Sequence, residues 1–214
     1  MNPLLCPHDT FPALAALPVW HAFTQRVPGV DVQADRATAM ERLASAHATL
    51  TPPGRRVITA EQIHGAGVAI VRADTAAPVL GVDALISDDP AVCLAIHVAD
   101  CGPIWLVDPV RRAIGCVHSG RKGTELGIVS ATILKMDTAF GCDPARMVAQ
   151  LGPCIRPPHY EVDFATQIMR QCREAGIQTA HDCGTCTAAH PALYYSYRRE
   201  KGQTGRMVAM LALT

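Results

Sequence analysis

Short blocks of apolar residues, many only five to eight long, dominate the pattern of this chain, and few stretches keep a helical period. Residues 18–25 (Pro-Val-Trp-His-Ala-Phe-Thr-Gln) read as a strand. Strand-like runs follow at 57–63, 67–71, 83–87, 92–99, 104–108 and 112–118, near 147–152, and at 206–213. Helical spacing appears elsewhere. Asp35 fits the N-cap of a helix running to about residue 47, with Met40, Leu43, Ala44 and His47 on one face. Thr124 fits the N-cap of another, in which Leu126, Val129, Ile133, Met136 and Phe140 recur at helical spacing and Gly141 supplies the stop. A further helix spans about 162–175, with Phe164, Ile168 and Cys172 inward and Gly176 ending it. Many strands precede few helices without strict alternation. The expectation is an α+β fold, a single layered domain over 1–214 with a mixed β-sheet and flanking helices, rather than a doubly wound Rossmann sheet.

Composition narrows the function. Hydrophobic residues make up 49% of the 214, aromatics only 5%, so Ala, Val, Ile and Leu must fill the core. The formal net charge is zero, which argues against an electrostatic nucleic-acid binder. The basic cluster Tyr197-Arg-Arg-Glu-Lys201 is short, contains an acid and reads as a solvated turn. No apolar run approaches the roughly 20 residues of a membrane span. Met1–Thr10 lacks the basic and apolar regions of an export signal. The nine cysteines are then cytosolic thiols, and Cys93, Cys116 and Cys172 lie inside apolar patterns as inert core residues. A cytoplasmic location is expected.

The candidate chemistry sits where apolar runs end. Cys101 follows Leu94-Ala-Ile-His-Val-Ala-Asp100, His118 closes Ile114-Gly-Cys-Val-His, and His64 lies in Glu61-Gln-Ile-His-Gly65. Two imidazoles and a thiol make a three-ligand set with an open fourth position, the arrangement of catalytic zinc. Their spacing matches no short zinc signature, so a buried thiol with hydrogen-bonded core histidines remains an alternative on spacing alone. Asp100 either forms the turn before Gly102-Pro103 or orients a ligand or water. His97 shares the face of Cys101 on a regular strand, as a packed side chain or a lining one. Ser119-Gly-Arg-Lys-Gly-Thr124 joins a strand to a helix and carries two cations, which suits phosphate, although it is not a nucleoside-triphosphate loop. Cys183-Gly-Thr-Cys186 stands without a second such pair and reads as a structural or solvent-facing loop.

In order along nearly the whole chain, a set of segments resembles the laccase-domain family, also called polyphenol oxidase-like or YfiH-type. They are His21-Ala-Phe-Thr-Gln-Arg26, Glu61-Gln-Ile-His-Gly65, Asp83-Ala-Leu-Ile-Ser87, Val98-Ala-Asp-Cys101, Val117-His-Ser-Gly120, Leu151-Gly-Pro-Cys-Ile-Arg156, Tyr160-Glu-Val162, Tyr195-Ser-Tyr-Arg-Arg199 and Thr204-Gly-Arg206. The resemblance implies zinc held by His64, Cys101 and His118. It implies phosphorolysis of adenosine, inosine and methylthioadenosine, with zinc-activated water deaminating adenosine at the purine C6. The partners are then a purine nucleoside and phosphate. Arg26, Gln62, Arg121, Lys122 and Arg206 are the expected substrate and phosphate contacts, and Asp100 is the expected acid–base residue beside Cys101. Within the same family, a hydrolase editing peptidoglycan precursors is the alternative; another is a degenerate member that binds zinc or a nucleoside without turnover. A blue multicopper oxidase is disfavoured: such sites need about ten histidines in His-x-His pairs, and this chain has nine and no such pair. Two features depart from the family. His118-Ser-Gly-Arg-Lys-Gly123 replaces His-Ala-Gly-Trp-Arg-Gly, exchanging an aromatic for Arg121 and a bidentate arginine for Lys122. The segment between Arg26 and Asp35 is also shortened and lacks the family's Asn-Leu loop.

Overall fold

The computed structural model describes residues 6–30 and 35–214. Part of the shortened segment before Asp35, and the start of Met1–Thr10, lie outside the described residues. The elements are β1 (His8–Asp9), α1 (Pro12–Ala15), β2 (Val19–Thr24), α2 (Arg36–Ala48), β3 (Arg56–Thr59), β4 (Val68–Ile70), β5 (Ala84–Ser87), β6 (Val92–Val98), β7 (Gly102–Asp108), β8 (Ala113–Ser119), α3 (Arg121–Glu125), α4 (Ile128–Phe140), β9 (Val148–Leu151), α5 (Phe164–Glu174), β10 (Thr179–Asp182) and β11 (Met207–Leu213). Among the described residues no helix is long and apolar enough to cross a membrane.

The strands form two mixed sheets, where the sequence pattern suggested one. Their orders are β1-β2-β11-β6-β3 and β10-β9-β7-β8-β5-β4. The pairs β3–β6, β4–β5 and β9–β10 are parallel. Strands β7 and β8 are buried along their whole length, because both faces are covered, and so they read as continuous apolar runs rather than alternating ones. One face of them (Trp105, Val107, Ile114, Cys116) meets Phe23, Leu94, Ile96 and Leu211 of the first sheet. The other face (Ile104, Leu106, Val117) meets Ile133 and Met136 of α4 and Phe164 and Ile168 of α5. The result is an α+β layering of sheet on sheet on helices. The Trp105 indole N–H donates to the Met210 carbonyl at 3.0 Å and pins the sheets together.

Asp35 caps α2 as expected, accepting from the Thr38 N–H. The buried face of α2 is Ala39, Leu43, Ala46 and His47. Ala44 is exposed, because the stripe advances through 43, 46 and 47 and leaves 44 off its side. Thr124 is not an N-cap. It lies inside α3, where its hydroxyl donates to the Gly120 carbonyl at 2.8 Å, and Gly120 starts the helix instead. Gly127, at φ 75°, then interrupts the helical run and α4 begins at Ile128. Gly141 ends α4 in the left-handed region at φ 67°, the expected stop.

Candidate metal centre and its cavity

The chain passes from β6 in one sheet to β7 in the other across Ala99-Asp100-Cys101. Cys101 is thereby placed at the seam between the sheets. His118 stands on β8 directly opposite Pro103 of β7, which brings it beside the same seam. His64 comes from the loop between β3 and β4. The donor atoms of His64, Cys101 and His118 all lie within 4.8 Å of one another, and the two imidazoles meet edge to face with centroids 4.7 Å apart.

One buried carboxylate aligns two of the three. Asp83, just before β5, is 0% exposed. Its Oδ1 accepts from His118 Nδ1 at 2.7 Å and from the His64 backbone N–H at 2.8 Å, and its Oδ2 accepts from the Gly65 N–H at 2.7 Å. With Nδ1 committed to Asp83, His118 turns Nε2 toward Cys101. Two residues of the 61–65 loop, Gln62 (φ 63°) and His64 (φ 61°), adopt left-handed backbone, a conformation that persists only where surroundings enforce it. Asp83 is one enforcer. The Glu61 carboxylate is another, accepting from the Gly81 N–H at 2.7 Å. The Gln62 carboxamide is a third. It donates to the His97 carbonyl at 2.6 Å and accepts from the His97 N–H at 2.8 Å, satisfying the β6 edge beyond the end of β3.

The thiol occupies a space that only glycine leaves open. A Cβ built on Gly120 would stand 2.6 Å from Cys101 Sγ and 3.7 Å from His64 Cδ2. Burial pushes the Cys101 thiol up, but hydrogen bonds from His118 and His64 outweigh it and hold the thiol at about 7. Burial likewise pushes His118 down, and its bonds to Asp83 and Cys101 outweigh that and raise it to about 9. Both shifts run toward charge, a thiolate on Cys101 and an imidazolium on His118. A thiolate with two histidines is a donor set suited to zinc, and the mutual distances let one ion contact all three.

These residues line a cavity of about 1100 Å³. Cations line the same cavity: Arg121 and Lys122 from α3, and Arg198, Lys201 and Arg206 from the loop before β11. Tyr160, Phe164 and Tyr197 supply aromatic surface. Arg198 lies 5.4 Å from the Tyr160 ring centroid, and Arg206 lies 5.9 Å from that of Tyr197.

Several expected site residues take other places. Arg26 does not line the cavity: its guanidinium donates to Glu200 at 2.6 Å and to the Tyr194 carbonyl at 3.1 Å and stacks on Tyr195. Gln62 lines it, but its amide is spent on His97. Asp100 lines it too, with both carboxylate oxygens occupied by Thr187, Ser196 and the Arg198 N–H. Arg121 pairs with Glu125 at 2.9 Å on the surface. Segment 197–201 is more than a solvated turn, since Tyr197, Arg198 and Lys201 all face the cavity. Asp83 and Arg198 carry no site signal of their own in the sequence, though both belong to segments that carry the resemblance; Lys201 lies just beyond the second. His97 lines the cavity, and burial, with Arg206 nearby, pushes its imidazole down. Cys183 and Cys186 do not line it; burial pushes Cys183 up. Cys93 and Cys172 are core thiols pushed up to about 12 by burial, and Cys116 is pushed up further.

Comparison with known proteins agrees with this architecture. The family described as multi-copper polyphenol oxidoreductase laccase matches residues 21–168 and 162–214. A purine nucleoside phosphorylase of Deinococcus radiodurans is 34% identical, over 92% of this chain and 90% of its own. Another, from Streptomyces coelicolor, is 32% identical over 82% of each chain. Among solved structures, YlmD from Geobacillus stearothermophilus superposes with a TM-score of 0.78 at 26% identity, covering 99% of both chains. The Neisseria meningitidis protein NMB0706 shares the fold, with a TM-score of 0.81 at 23% identity over 97% of this chain and 98% of its own. With the family matched across most of its length, the chain belongs to the laccase-like, YfiH-type family.

Proposed function

We propose that this protein is a zinc-dependent purine nucleoside phosphorylase with adenosine deaminase activity, working in the cytoplasm as a single domain. The observation that carries the reading is the His64–Cys101–His118 cluster facing a cation-lined cavity, in a chain whose relatives bear the name purine nucleoside phosphorylase. His64, Cys101 and His118 hold the zinc. The ion supplies Lewis-acid activation of water when bound, and everything else falls to the chain's own residues.

Phosphorolysis needs a phosphate anion held beside the ribose, so that its oxygen bonds to C1′ as the C1′–N9 bond breaks and the purine leaves. Arg121, Lys122 and Arg206 contribute the positive potential for that anion. Lys122 acts as a point charge where the family's arginine would grip in a fork. Arg26, bound to Glu200, holds the loop that delivers Arg206 rather than phosphate. Gln62 holds the His64 loop against β6. His118 keeps its Nδ1 proton because Asp83 accepts a hydrogen bond from it, which leaves Nε2 for the ion. All nine cysteines are free thiols, which suits a reducing compartment.

The test is product analysis of purified protein with adenosine, with and without inorganic phosphate. Adenine and ribose 1-phosphate that appear only with phosphate support the phosphorylase, and inosine in both arms supports the deaminase. Absence of all three products from zinc-replete protein contradicts the reading.

A further inference from the structure

We infer that Asp100 is a positioning residue that ties the turn carrying Cys101 to the loop carrying the cation wall. Asp100 stands at the crossing from one sheet to the other, is 7% exposed, and has φ 90°, a backbone conformation that needs outside support. Four donors from three distant segments converge on it. Its Oδ1 accepts from the Thr187 hydroxyl at 2.7 Å. Its Oδ2 accepts from the Ser196 hydroxyl at 3.0 Å and from the Arg198 N–H at 2.7 Å. Its carbonyl accepts from the Ile155 N–H at 2.8 Å.

The far end of the same loop has a second anchor. Glu200 accepts from Arg26 at 2.6 Å and from the Ser196 N–H at 2.9 Å, and it also takes the Thr204 hydroxyl. Between and beside these two carboxylates stand Tyr197, Arg198 and Lys201, which face the cavity. Asp100 therefore links the thiolate turn directly to this wall. A carboxylate with both oxygens committed to buried donors is a clamp. Asp100 acts through the residues it holds, not on the reacting atoms.

The inference rests on the phosphorylase reading for its kinetic readout, and hydrogen exchange supplies a readout that does not. Three variants of the full chain are compared: Asp100→Asn, Asp100→Ala, and the double variant Thr187→Val/Ser196→Ala, which leaves the Cys101 turn untouched. The double variant and Asp100→Ala should raise KM for inorganic phosphate about tenfold, the scale of a lost hydrogen bond to a charged group, and change kcat less than about threefold. Amide exchange across 196–206 should accelerate in both, and the double variant should keep its metal. Asp100→Asn retains an acceptor for Ser196 and Arg198, and Thr187 can reverse its hydroxyl, so this variant should recover most of the wild-type KM and protection. A kcat reduced about a hundredfold or more in Asp100→Asn with KM unchanged is the signature of a proton carrier and overturns the inference. Unchanged exchange and KM in the double variant overturn it as well. If the wild-type protein makes no phosphate-dependent product, the phosphorylase reading fails, and the exchange measurement still decides the role of Asp100.

Discussion

Two sets of side chains at the cavity, metal-binding and cationic, differ in how they are held. In the metal-binding set, Asp83 alone fixes one imidazole and two backbone amides, and Gly120 leaves the thiol only the room it needs. Among the cations, the heads of Arg121 and Arg198 are loosely tethered: their side chains are 53% and 58% exposed and pair with the equally exposed Glu125 and Glu161. Such surface pairs are worth about 0–1 kcal/mol. In the proposed reading, one set is pre-set for an ion that tolerates little misplacement, and the exposed heads of Arg121 and Arg198 are left for an anion. The contrast follows from chemistry. Metal ligation needs three donors in fixed places, whereas a phosphate is held by the sum of charges around it.

Substitutions should therefore have all-or-none effects in the first set and graded ones in the second. The largest effect is expected for Asp83→Ala, which strands the His118 Nδ1 proton and the His64 and Gly65 amides in a buried position. Breaking a buried pair costs about 3–5 kcal/mol, so denaturant unfolding should show that loss together with loss of metal. A variant as stable and as metal-rich as wild type would remove Asp83 from the account. Next comes Gly120→Ala, whose new Cβ meets the thiol at 2.6 Å. Competition with a chelator should show metal affinity weakened by roughly 10–100-fold, the range for disturbed ligand support, with the fold intact by circular dichroism. Unaltered affinity would mean that the thiol is not a ligand in its present place.

Among the cations, Lys122→Ala should raise KM for phosphate about tenfold, the low end for a charge-assisted contact because the side chain is solvent-exposed. Metal content and deamination should be unchanged, since deamination uses no phosphate. Equal loss of both activities with metal retained would make the α3 turn structural. The smallest effect is expected for Cys183→Ser/Cys186→Ser, which lies outside the cavity lining and should alter neither metal content nor turnover by more than about twofold, against the hundredfold scale of lost acid–base catalysis. A large loss of activity there would place chemistry away from the seam.

How much of this was legible in sequence depended on whether the signal was local. Strands β5 to β8 stood out because fully buried strands read as apolar blocks, and the metal-ligand triple stood out at the ends of such blocks. The division into two sheets was hidden, since the crossing at Ala99-Asp100-Cys101 is only a short polar break in the apolar pattern. The strand β10 is not legible because Thr179–Asp182 is mostly exposed and lies at the sheet edge beside β9, leaving no alternation to read. The helix break at Gly127 was masked by Leu126 and Val129 continuing the helical spacing across it. Asp83 looked like the first residue of a strand; its role depends on His64 and His118, which lie far from it in sequence. Likewise Arg26 looked like a free cation, and only the fold shows that Glu200 claims it.

The central claim is that His64, Cys101 and His118 together hold a catalytic zinc. Its most direct test is elemental analysis of the purified wild-type protein beside Cys101→Ala, prepared identically. About one zinc per chain, the stoichiometry of a single three-ligand site, is predicted for the wild type, with almost none in the variant; full zinc occupancy in Cys101→Ala would contradict the account.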